Sequence, residues 1–202
     1  MTYTVHEIFH TLQGEGVNMG RPAVFVRFAG CNLWSGREED RANAACRFCD
    51  TEFRKGVRYS RAELVAEITR FKGARFVVFT GGEPALQLDQ ALVDELHQGR
   101  GYEIAIETNG TRPIPRVQWT CVSPKAGTEI VVRKADELKL VFPQGPLLTP
   151  ERAMQLVDAE HLWLSPMDGP DWAGNVEEAV AYVKKDGRWR LNIQAHKFWN
   201  IR

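Results

Sequence analysis

The sequence lacks any apolar run that could cross a membrane. Its continuous hydrophobic stretches span only a few residues, such as "FVVF" at 76–79, whereas a membrane-spanning helix needs about 18 or more. The first residues, "MTYTVHEIF", have neither the basic region nor the apolar region of a signal peptide. We therefore expect no membrane association, no signal peptide and a cytoplasmic location.

The sequence also has no excess of charge of either sign. Lysine plus arginine and aspartate plus glutamate number 26 each, so the composition does not favour a direct nucleic-acid binder. With 202 residues, 44% of them hydrophobic, the chain is long enough to bury a core. Because it contains no repeat and no linker, we predict a single domain that spans residues 1–202.

Cysteine is scarce, but three of the four cysteines are clustered. Cys46 and Cys49 form a C-x-x-C pair, and fourteen residues separate Cys46 from Cys31. Four cysteines are too few for a disulfide scaffold and favour a metal or redox site. Spacing alone leaves two alternatives: structural zinc, with Cys121 or a histidine as fourth ligand, or an iron–sulfur cluster with one open iron. Cys121 lies within a predicted strand and is expected to be a small buried residue.

Short apolar strands alternate with helices along the chain. We predict strands at 23–29, 75–80, 102–107, 117–122, 137–142, 161–165 and 189–194. Helices are predicted at 60–71, with a Ser60–Glu63 capping box, at 86–98, ending at Gly99, at 149–158, and at 175–185, capped by Asn175 and Glu178. With about six core strands, this α/β pattern favours an incomplete TIM-type β/α barrel or an open doubly wound sheet. In both folds, functional residues gather where strands end.

The motifs at these strand ends resemble one enzyme family. "TGGEP" (80–84) and the aromatic residue before the last cysteine are similar to the radical S-adenosylmethionine superfamily. That superfamily usually has C-x3-C-x2-C, whereas this chain has fourteen residues in the first gap. The 7-carboxy-7-deazaguanine synthase family shares this departure. The resemblance extends over "TLQGEG" (11–16), "RFAGCNLW" (27–34), "CRFCDT" (46–51), "IETNG" (106–110), "VSPKA" (122–126), "LKLV" (138–141), "SPMDGP" (165–170) and "HKFWNI" (196–201).

The resemblance implies a reaction and a set of cofactors. Enzymes of this family convert 6-carboxy-5,6,7,8-tetrahydropterin to 7-carboxy-7-deazaguanine and ammonia, a step towards deazapurines such as queuosine. The implied cofactors are a 4Fe–4S cluster on Cys31, Cys46 and Cys49, within a loop insert at 31–49, S-adenosylmethionine on the open iron, and Mg²⁺. The implied partners are the small-molecule pterin, a reductant such as flavodoxin or ferredoxin, and a second copy of the chain in a homodimer.

The same resemblance assigns roles to individual residues. Thr51 is expected to bind Mg²⁺. S-adenosylmethionine is expected to contact Phe48, Cys49, Asp50, Gly82, Glu83, Ser123, Pro124, Lys125, Ser165, Pro166, Met167 and Asp168. The substrate is expected to contact Leu12, Gln13, Gly14, Glu15, Arg27, Thr80, His196 and the terminal carboxylate of Arg202.

The positions of three side chains in the predicted strands suggest their roles. Arg27 interrupts an apolar strand, and its guanidinium fork suits a substrate carboxylate. Glu107, at a strand end, is expected either to reach the cofactor ribose or to brace the "TNG" turn. Lys139 alternates with apolar residues and is expected to point either into the barrel or to solvent.

Two other functions remain as alternatives. A radical enzyme that activates a protein partner would be expected to have the short cysteine spacing and no "LQGEG" before the first strand. A zinc or electron-transfer module would not need Arg27, "GGEP" and "VSPKA" at successive strand ends.

Overall fold

The computed structural model describes residues 2–202 and contains a nine-stranded sheet. The strands run in the order β3-β1-β2-β4-β5-β6-β7-β8-β9. Their bounds are β1 (Thr2–Leu12), β2 (Pro22–Phe28), β3 (Val57–Ser60), β4 (Phe76–Gly81), β5 (Glu103–Thr108), β6 (Trp119–Val122), β7 (Lys134–Phe142), β8 (Asp158–Pro166) and β9 (Trp189–Leu191).

Seven of these strands are parallel, where about six were predicted. Strand β2 and strands β4 to β9 pair in parallel, while β1 and β3 extend the β2 edge in antiparallel pairing. The sheet ends at β3 and β9 without closing on itself. This is the predicted incomplete β/α barrel.

Five α-helices follow or connect the strands. They are α1 (Arg61–Thr69), α2 (Gln90–Arg100), α3 (Pro150–Leu156), α4 (Trp172–Lys185) and α5 (Ala195–Trp199). The predicted capping box of α1 is confirmed, because the Ser60 and Glu63 side chains each accept the other's backbone N–H. None of the helices between residues 2 and 202 has the length and apolar character needed to cross a membrane.

Three predicted helix boundaries, the two ends of α2 and the start of α4, are wrong. Residues Pro84–Leu86 form a short 3₁₀ helix, and α2 begins only after Asp89, whose carboxylate accepts the Leu92 N–H. Helix α2 continues through Gly99 and ends at Gly101, which adopts the left-handed conformation at φ +71°. Asn175 lies inside α4 rather than at its start, and its side chain donates to the Met167 carbonyl.

Strands β1 and β3 and helix α5 were not predicted. In β1 the pairing register shifts between Val5 and Glu7, which interrupts the two-residue alternation that identifies a strand. Strand β3 has only four residues and helix α5 only five. Elements this short form through their tertiary contacts, so their local sequence carries little signal.

Helices α1 to α4 lie on one face of the sheet. Residues of α1 and α2, such as Leu64 and Leu92, pack with the outer side chains of β2, β4 and β5. Ala153 of α3 and Ala179 of α4 pack in the same way on β7 and β8. A doubly wound sheet would carry helices on both faces, so that alternative is wrong.

The other face of the sheet carries the functional residues. Its apolar cluster is small and consists of Ala23, Phe76, Val78 and Ala105. Because side chains two positions apart share a face, the positions beyond this cluster continue the same rows towards the carboxyl ends of the strands. Those positions hold Arg27, Thr80, Glu107, Cys121 and Lys139.

Candidate functional site

A cavity opens at the carboxyl ends of the parallel strands. Its volume is about 470 Å³, within the range of about 300–1,000 Å³ that is typical of ligand sites. The lining comes from the β1–β2 loop, the strand ends, the cysteine loop (residues 29–56) and the C-terminal segment from residue 194. All of the predicted site residues line it except Glu83, Pro124 and Met167. The histidines at 6, 10, 97 and 161 do not line it.

The three predicted cysteine ligands lie on this lining as free thiols. The Cys31 sulfur accepts the N–H of Leu33 at 3.4 Å. The Leu33 carbonyl accepts the N–H groups of Ala45 and Cys46 at 3.1 and 3.4 Å, which brings the two ends of the fourteen-residue gap together. A hydrogen bond between Cys46 and Cys49 raises the pKa of the first thiol and lowers that of the second to about 6.

The donor set of these thiols fits a 4Fe–4S cluster, because Cys46 lies close enough to Cys49 for a hydrogen bond between them and its pKa also responds to the charge of Cys31. Within residues 2–202, no three His, Cys, Asp or Glu side chains are grouped so that they could hold a single metal ion. A 4Fe–4S cluster takes one thiolate on each iron, so its ligands surround a volume and do not converge on one point. Backbone N–H donors and the nearby charge of Lys125, which favours both thiolates of the C-x-x-C pair, suit sulfur ligands.

The glycine turn after β4 packs directly against the cysteine loop. The N–H of Gly82 donates to the Phe28 carbonyl at 3.2 Å, and the N–H of Glu83 donates to the Gly30 carbonyl at 2.9 Å. A Cβ atom at Gly82 would lie only 2.1 Å from the Gly30 oxygen. Glycine is therefore required at 82 for the turn to approach the first cysteine.

Glu83 is fully buried and does not line the cavity. Its carboxylate accepts hydrogen bonds from the Thr108 hydroxyl at 2.6 Å, the Asn109 N–H at 2.7 Å and the Ala85 N–H at 2.9 Å. Burial raises the pKa of Glu83 despite these donors. In this structure Glu83 braces the "TNG" turn, a role expected above for Glu107, and its contact with S-adenosylmethionine stays a prediction.

Polar groups from the later strands complete this part of the lining. Lys125 Nζ donates to the Ser123 hydroxyl at 2.8 Å, and burial lowers the pKa of Lys125. The Ser165 hydroxyl accepts from the Asn192 side chain at 2.8 Å. The remaining two predicted residues contribute main chain outside the lining: the Pro124 carbonyl accepts from Gln144, and the Met167 N–H donates to Phe142.

A buried charge network (Gln13, Glu15, Thr80, Glu107 and Lys139) forms a second part of the cavity. Lys139 Nζ contacts the Glu15 carboxylate and lies 3.8 Å from Glu107. Glu107 also accepts from Gln13 Nε2 at 3.0 Å and from the Thr80 hydroxyl at 3.3 Å. Lys139 therefore points into the barrel rather than to solvent.

In this network, the attraction between opposite charges shifts the pKa values of Glu15 and Lys139 more than burial does. The side chains of Lys139 and Glu15 are 13% and 14% exposed. Burial by itself raises the pKa of Glu15 and lowers that of Lys139. Attraction between Lys139 and the carboxylates of Glu107 and Glu15 reverses both effects, so the pKa of Glu15 is lowered and that of Lys139 is raised well above its usual value. Both groups are charged at neutral pH.

Arg27 lies beside this network and is held by Glu7. Its Nε donates to the Glu7 carboxylate at 2.8 Å, and the two side chains are 22% and 28% exposed. Among residues 2–202, the Arg27 side chain forms no other hydrogen bond. Both of its Nη groups are therefore free for a bidentate partner. Glu7 faces Arg27 across the β1–β2 pair, so the missed prediction of β1 also hid Glu7.

The C-terminal segment closes over the β1–β2 loop. The Gly14 carbonyl accepts the N–H of Ala195 at 2.9 Å, and a Cβ atom at Gly14 would lie 2.5 Å from His196 Nδ1. The Thr11 hydroxyl donates to the Arg202 carbonyl at 2.6 Å. Burial lowers the pKa of His196. His196 and Arg202 thus both reach the cavity.

Lys197 is a further cavity residue that the sequence did not single out. Its Nζ contacts the Asp168 carboxylate and lies 3.3 Å from the Asp50 carboxylate. The hydrogen bond from Lys197 lowers the pKa of Asp168. One side chain of α5 therefore joins the residue after the last cysteine to the end of β8. Local sequence gave no signal for it, because its partners are distant in the chain.

Comparisons with known proteins agree with this geometry. Residues 40–119 match the family described as "Radical SAM superfamily". The chain is 54% identical to the 7-carboxy-7-deazaguanine synthase of Burkholderia multivorans and 51% identical to that of Bradyrhizobium diazoefficiens, and both comparisons cover 100% of each chain. A crystal structure of QueE from Escherichia coli superposes with a TM-score of 0.72 at 28% identity, covering 97% of this chain and 95% of the other.

Proposed function

Because the chain belongs to the 7-carboxy-7-deazaguanine synthase family of radical S-adenosylmethionine enzymes, we propose that it converts 6-carboxy-5,6,7,8-tetrahydropterin to 7-carboxy-7-deazaguanine and ammonia. The observation that carries this proposal is a single cavity that combines three free cysteines, Arg27 and a buried charge network. A pterin carboxylate requires a cationic partner, and its polar ring requires donors and acceptors in fixed positions.

The cysteine side of the cavity is proposed to hold the cofactors. Cys31, Cys46 and Cys49 would hold the 4Fe–4S cluster, which with S-adenosylmethionine supplies the radical that takes hydrogen from the substrate. Lys125 places a positive charge near the thiolates and the cofactor carboxylate. The proposed cofactor contacts are Phe48, Asp50, Gly82, Glu83, Ser123, Pro124, Lys125, Ser165, Pro166, Met167 and Asp168.

The charge network and Arg27 are proposed to hold the pterin. The two Nη groups of Arg27 would bind the substrate carboxylate, with Glu7 fixing the plane of the guanidinium. Gln13, Glu15 and Thr80 offer an amide, a carboxylate and a hydroxyl to the ring. Glu107 and Lys139 are positioning residues, because they hold those three groups in place. Leu12, Gly14, His196 and the Arg202 carboxylate complete the substrate contacts.

Thr51 is proposed as the protein ligand of Mg²⁺. A hydroxyl alone is a weak ligand, and Mg²⁺ commonly takes few ligands from the protein and the rest from substrate and water. The adjacent Asp50 carboxylate is paired with Lys197, so it is not available as a second protein ligand for the ion. The Mg²⁺ site therefore forms with substrate present.

The remaining parts of the proposal concern the organisation of the protein in the cell. The chain acts as a single radical S-adenosylmethionine domain over residues 1–202, with residues 31–49 as the cluster-binding insert. Four free cysteines support a reducing, cytoplasmic location. The cluster requires a reductant such as flavodoxin or ferredoxin, the product feeds deazapurine and queuosine synthesis, and the enzyme is a homodimer.

One reconstitution experiment tests the proposed function. The chain is purified without oxygen, loaded with iron and sulfide, and supplied with reductant, Mg²⁺, S-adenosylmethionine and 6-carboxytetrahydropterin. We expect 7-carboxy-7-deazaguanine and ammonia in equal amounts, measured by chromatography with mass detection. Cleavage of S-adenosylmethionine without this product would show that the substrate is wrong. Binding of zinc without assembly of a cluster would show that the enzyme class is wrong.

A further inference from the structure

The segment between Cys31 and Cys46 is folded, although the proposed function gives it no task. Residues Glu38–Asn43 form a 3₁₀ helix. The hydrogen bonds from Ala45 and Cys46 to the Leu33 carbonyl close the segment at its base. The segment therefore returns to its starting point and has a defined shape.

Trp34 forms the packed centre of this segment. Its ring is 8% exposed and meets the Phe53 ring edge to face, with 5.7 Å between the centroids. The indole N–H donates to the Arg37 carbonyl at 3.0 Å. Trp34 thus joins the segment to the chain that follows the last cysteine.

Arg41 reaches from this segment to the C-x-x-C pair. Its guanidinium carbon lies 4.1 Å from the centroid of the Trp34 ring, and its Nε donates to the Glu38 carboxylate at 2.8 Å. Its Nη1 donates to the carbonyl of Arg47 at 2.8 Å and to that of Cys49 at 3.1 Å. The side chain is 28% exposed. Four groups therefore hold one guanidinium in place.

The two carbonyls bound by Arg41 set the direction of the backbone around Cys49. The C=O and N–H groups of a trans peptide point in opposite directions. The N–H groups of Phe48 and Asp50 therefore point away from Arg41. Residues 48–51 all line the cavity, so a rotation of these peptides would alter the wall that carries the third cysteine.

We propose that Arg41 is a positioning residue that clamps the C-x-x-C backbone in the conformation that holds the 4Fe–4S cluster. This rests on the proposed function, since it takes the three cysteines as the ligands of that cluster. A guanidinium has several donors in one plane and stacks on an indole ring, so it can bind two carbonyls and a carboxylate at the same time. Its positive charge, next to the Cys49 carbonyl, also stabilises the additional negative charge of the reduced cluster.

Arg37 provides a matched control for Arg41. It belongs to the same segment and carries the same charge, but its side chain is 69% exposed and is 3.6 Å from its ion-pair partner Glu39. An exposed pair of this kind contributes little to a defined conformation. Loss of Arg37 therefore reports the effect of removing charge without removing the clamp.

The test compares Arg41→Ala, Arg41→Lys and Arg37→Ala with the wild-type chain after anaerobic reconstitution with iron and sulfide. The measurements are iron bound per chain, the rate of iron loss to a chelator, and the midpoint potential of the cluster from an EPR-monitored titration. We expect Arg41→Ala to lose iron about tenfold faster than wild type, because loss of an outer-shell contact typically weakens metal sites by about 10–100-fold. Its midpoint potential should be lower, Arg41→Lys should be intermediate, and Arg37→Ala should match wild type.

Each other outcome has a defined meaning. If Arg41→Ala loses iron at the wild-type rate and has the wild-type potential, the proposed role of Arg41 is overturned and the proposed function is unaffected. Equal effects in Arg37→Ala and Arg41→Ala would also overturn it, because they would show a general effect of charge. Circular dichroism of the cluster-free chains checks folding; if Arg41→Ala does not fold, wild-type behaviour of Arg41→Lys overturns the clamp. A wild-type chain that assembles no cluster overturns the proposed function and the clamp together.

Discussion

The cysteine loop and the charge network line the same cavity, yet different interactions hold them in place. The cysteine loop contains no β-strand, and its shape depends on main-chain hydrogen bonds, one 3₁₀ helix and the contacts of Trp34 and Arg41. The charge network projects mainly from β4, β5 and β7, where the pleat fixes the direction of each side chain. The shape of the loop therefore depends on a few specific contacts, whereas the network is preorganised by the strands that carry it.

The largest effect should come from a cysteine of the loop. Replacing Cys46 by alanine removes a proposed cluster ligand, so we expect loss of the stable cluster and at least about a 1,000-fold loss of activity, with little change in the stability of the cluster-free chain. Cys121→Ala is the matched control, because Cys121 is buried in β6 outside the main cavity lining. It should keep wild-type iron and lower the free energy of unfolding by about 1 kcal/mol. Loss of iron in Cys121→Ala would contradict the assignment.

Arg27→Ala should have the next largest effect, and it should spare the cluster. Arg27 is the proposed charge-assisted partner of the substrate carboxylate, and loss of such a partner costs about 3 kcal/mol, which is a decrease of about 100-fold in kcat/KM for the pterin. Iron content should equal that of wild type. Arg70→Ala, at the exposed residue that follows α1 and pairs with Glu67 at 3.1 Å, should leave both quantities unchanged. A cluster defect in Arg27→Ala would remove the distinction between the two regions.

Lys139→Met tests the preorganised region through stability. It leaves the buried Glu15 carboxylate without its cation, so we expect the free energy of unfolding to fall by about 3 kcal/mol in urea denaturation. The double variant Lys139→Met/Glu15→Gln removes the unpaired charge and should regain more than half of that loss. A double variant no more stable than Lys139→Met would show that the pair does not act as a unit.

The acid stability of the chain should depend on Glu15. Because its folded pKa lies below the usual value of 4.5, the ion pair contributes fully at pH values above that and is lost as the pH falls through the folded pKa. Glu15→Gln should therefore show a shallower fall in stability below about pH 4.5. Thermal unfolding between pH 3 and pH 7 measures this, and parallel curves for variant and wild type would contradict the assigned direction of the pKa.

Lys197→Met should have the smallest effect on stability. Its side chain is 44% exposed, and those of Asp50 and Asp168 are 52% and 46% exposed. Exposed ion pairs contribute about 0–1 kcal/mol, so the free energy of unfolding should change by less than about 1 kcal/mol, as measured in urea. A loss as large as that of Lys139→Met would show that the C-terminal segment is also part of the preorganised region.

The sequence predicted the parallel strands and the barrel well, because their apolar runs and bounding glycines are local signals. It also indicated that the candidate residues after β4, β6 and β8 lie at one edge of the sheet, since parallel strands present their carboxyl ends there. It did not predict β1, because a register shift disturbs its alternation, and it therefore missed Glu7.

Local sequence patterns also did not predict contacts between segments that are distant in the chain. Lys197 meets Asp50 across 147 positions, and no motif connects these two residues. Glu83 shows a different limit: the "GGEP" motif marked an acid near the cofactor, but the fold directs its carboxylate to the "TNG" turn. Motifs identified the chemical groups of the site, whereas their pairing depended on the tertiary fold.

The hydrogen bond between Thr11 and the Arg202 carbonyl spans 191 positions, so it can form only after all of those positions have been synthesised. Chains emerge from the ribosome with the amino end first. The three clustered thiols, the glycine turn and the "TNG" turn all lie before Thr111, whereas the substrate side also needs Lys139 and the residues after Gln194. A nascent chain therefore presents its proposed iron ligands before the residues proposed to bind the pterin are complete.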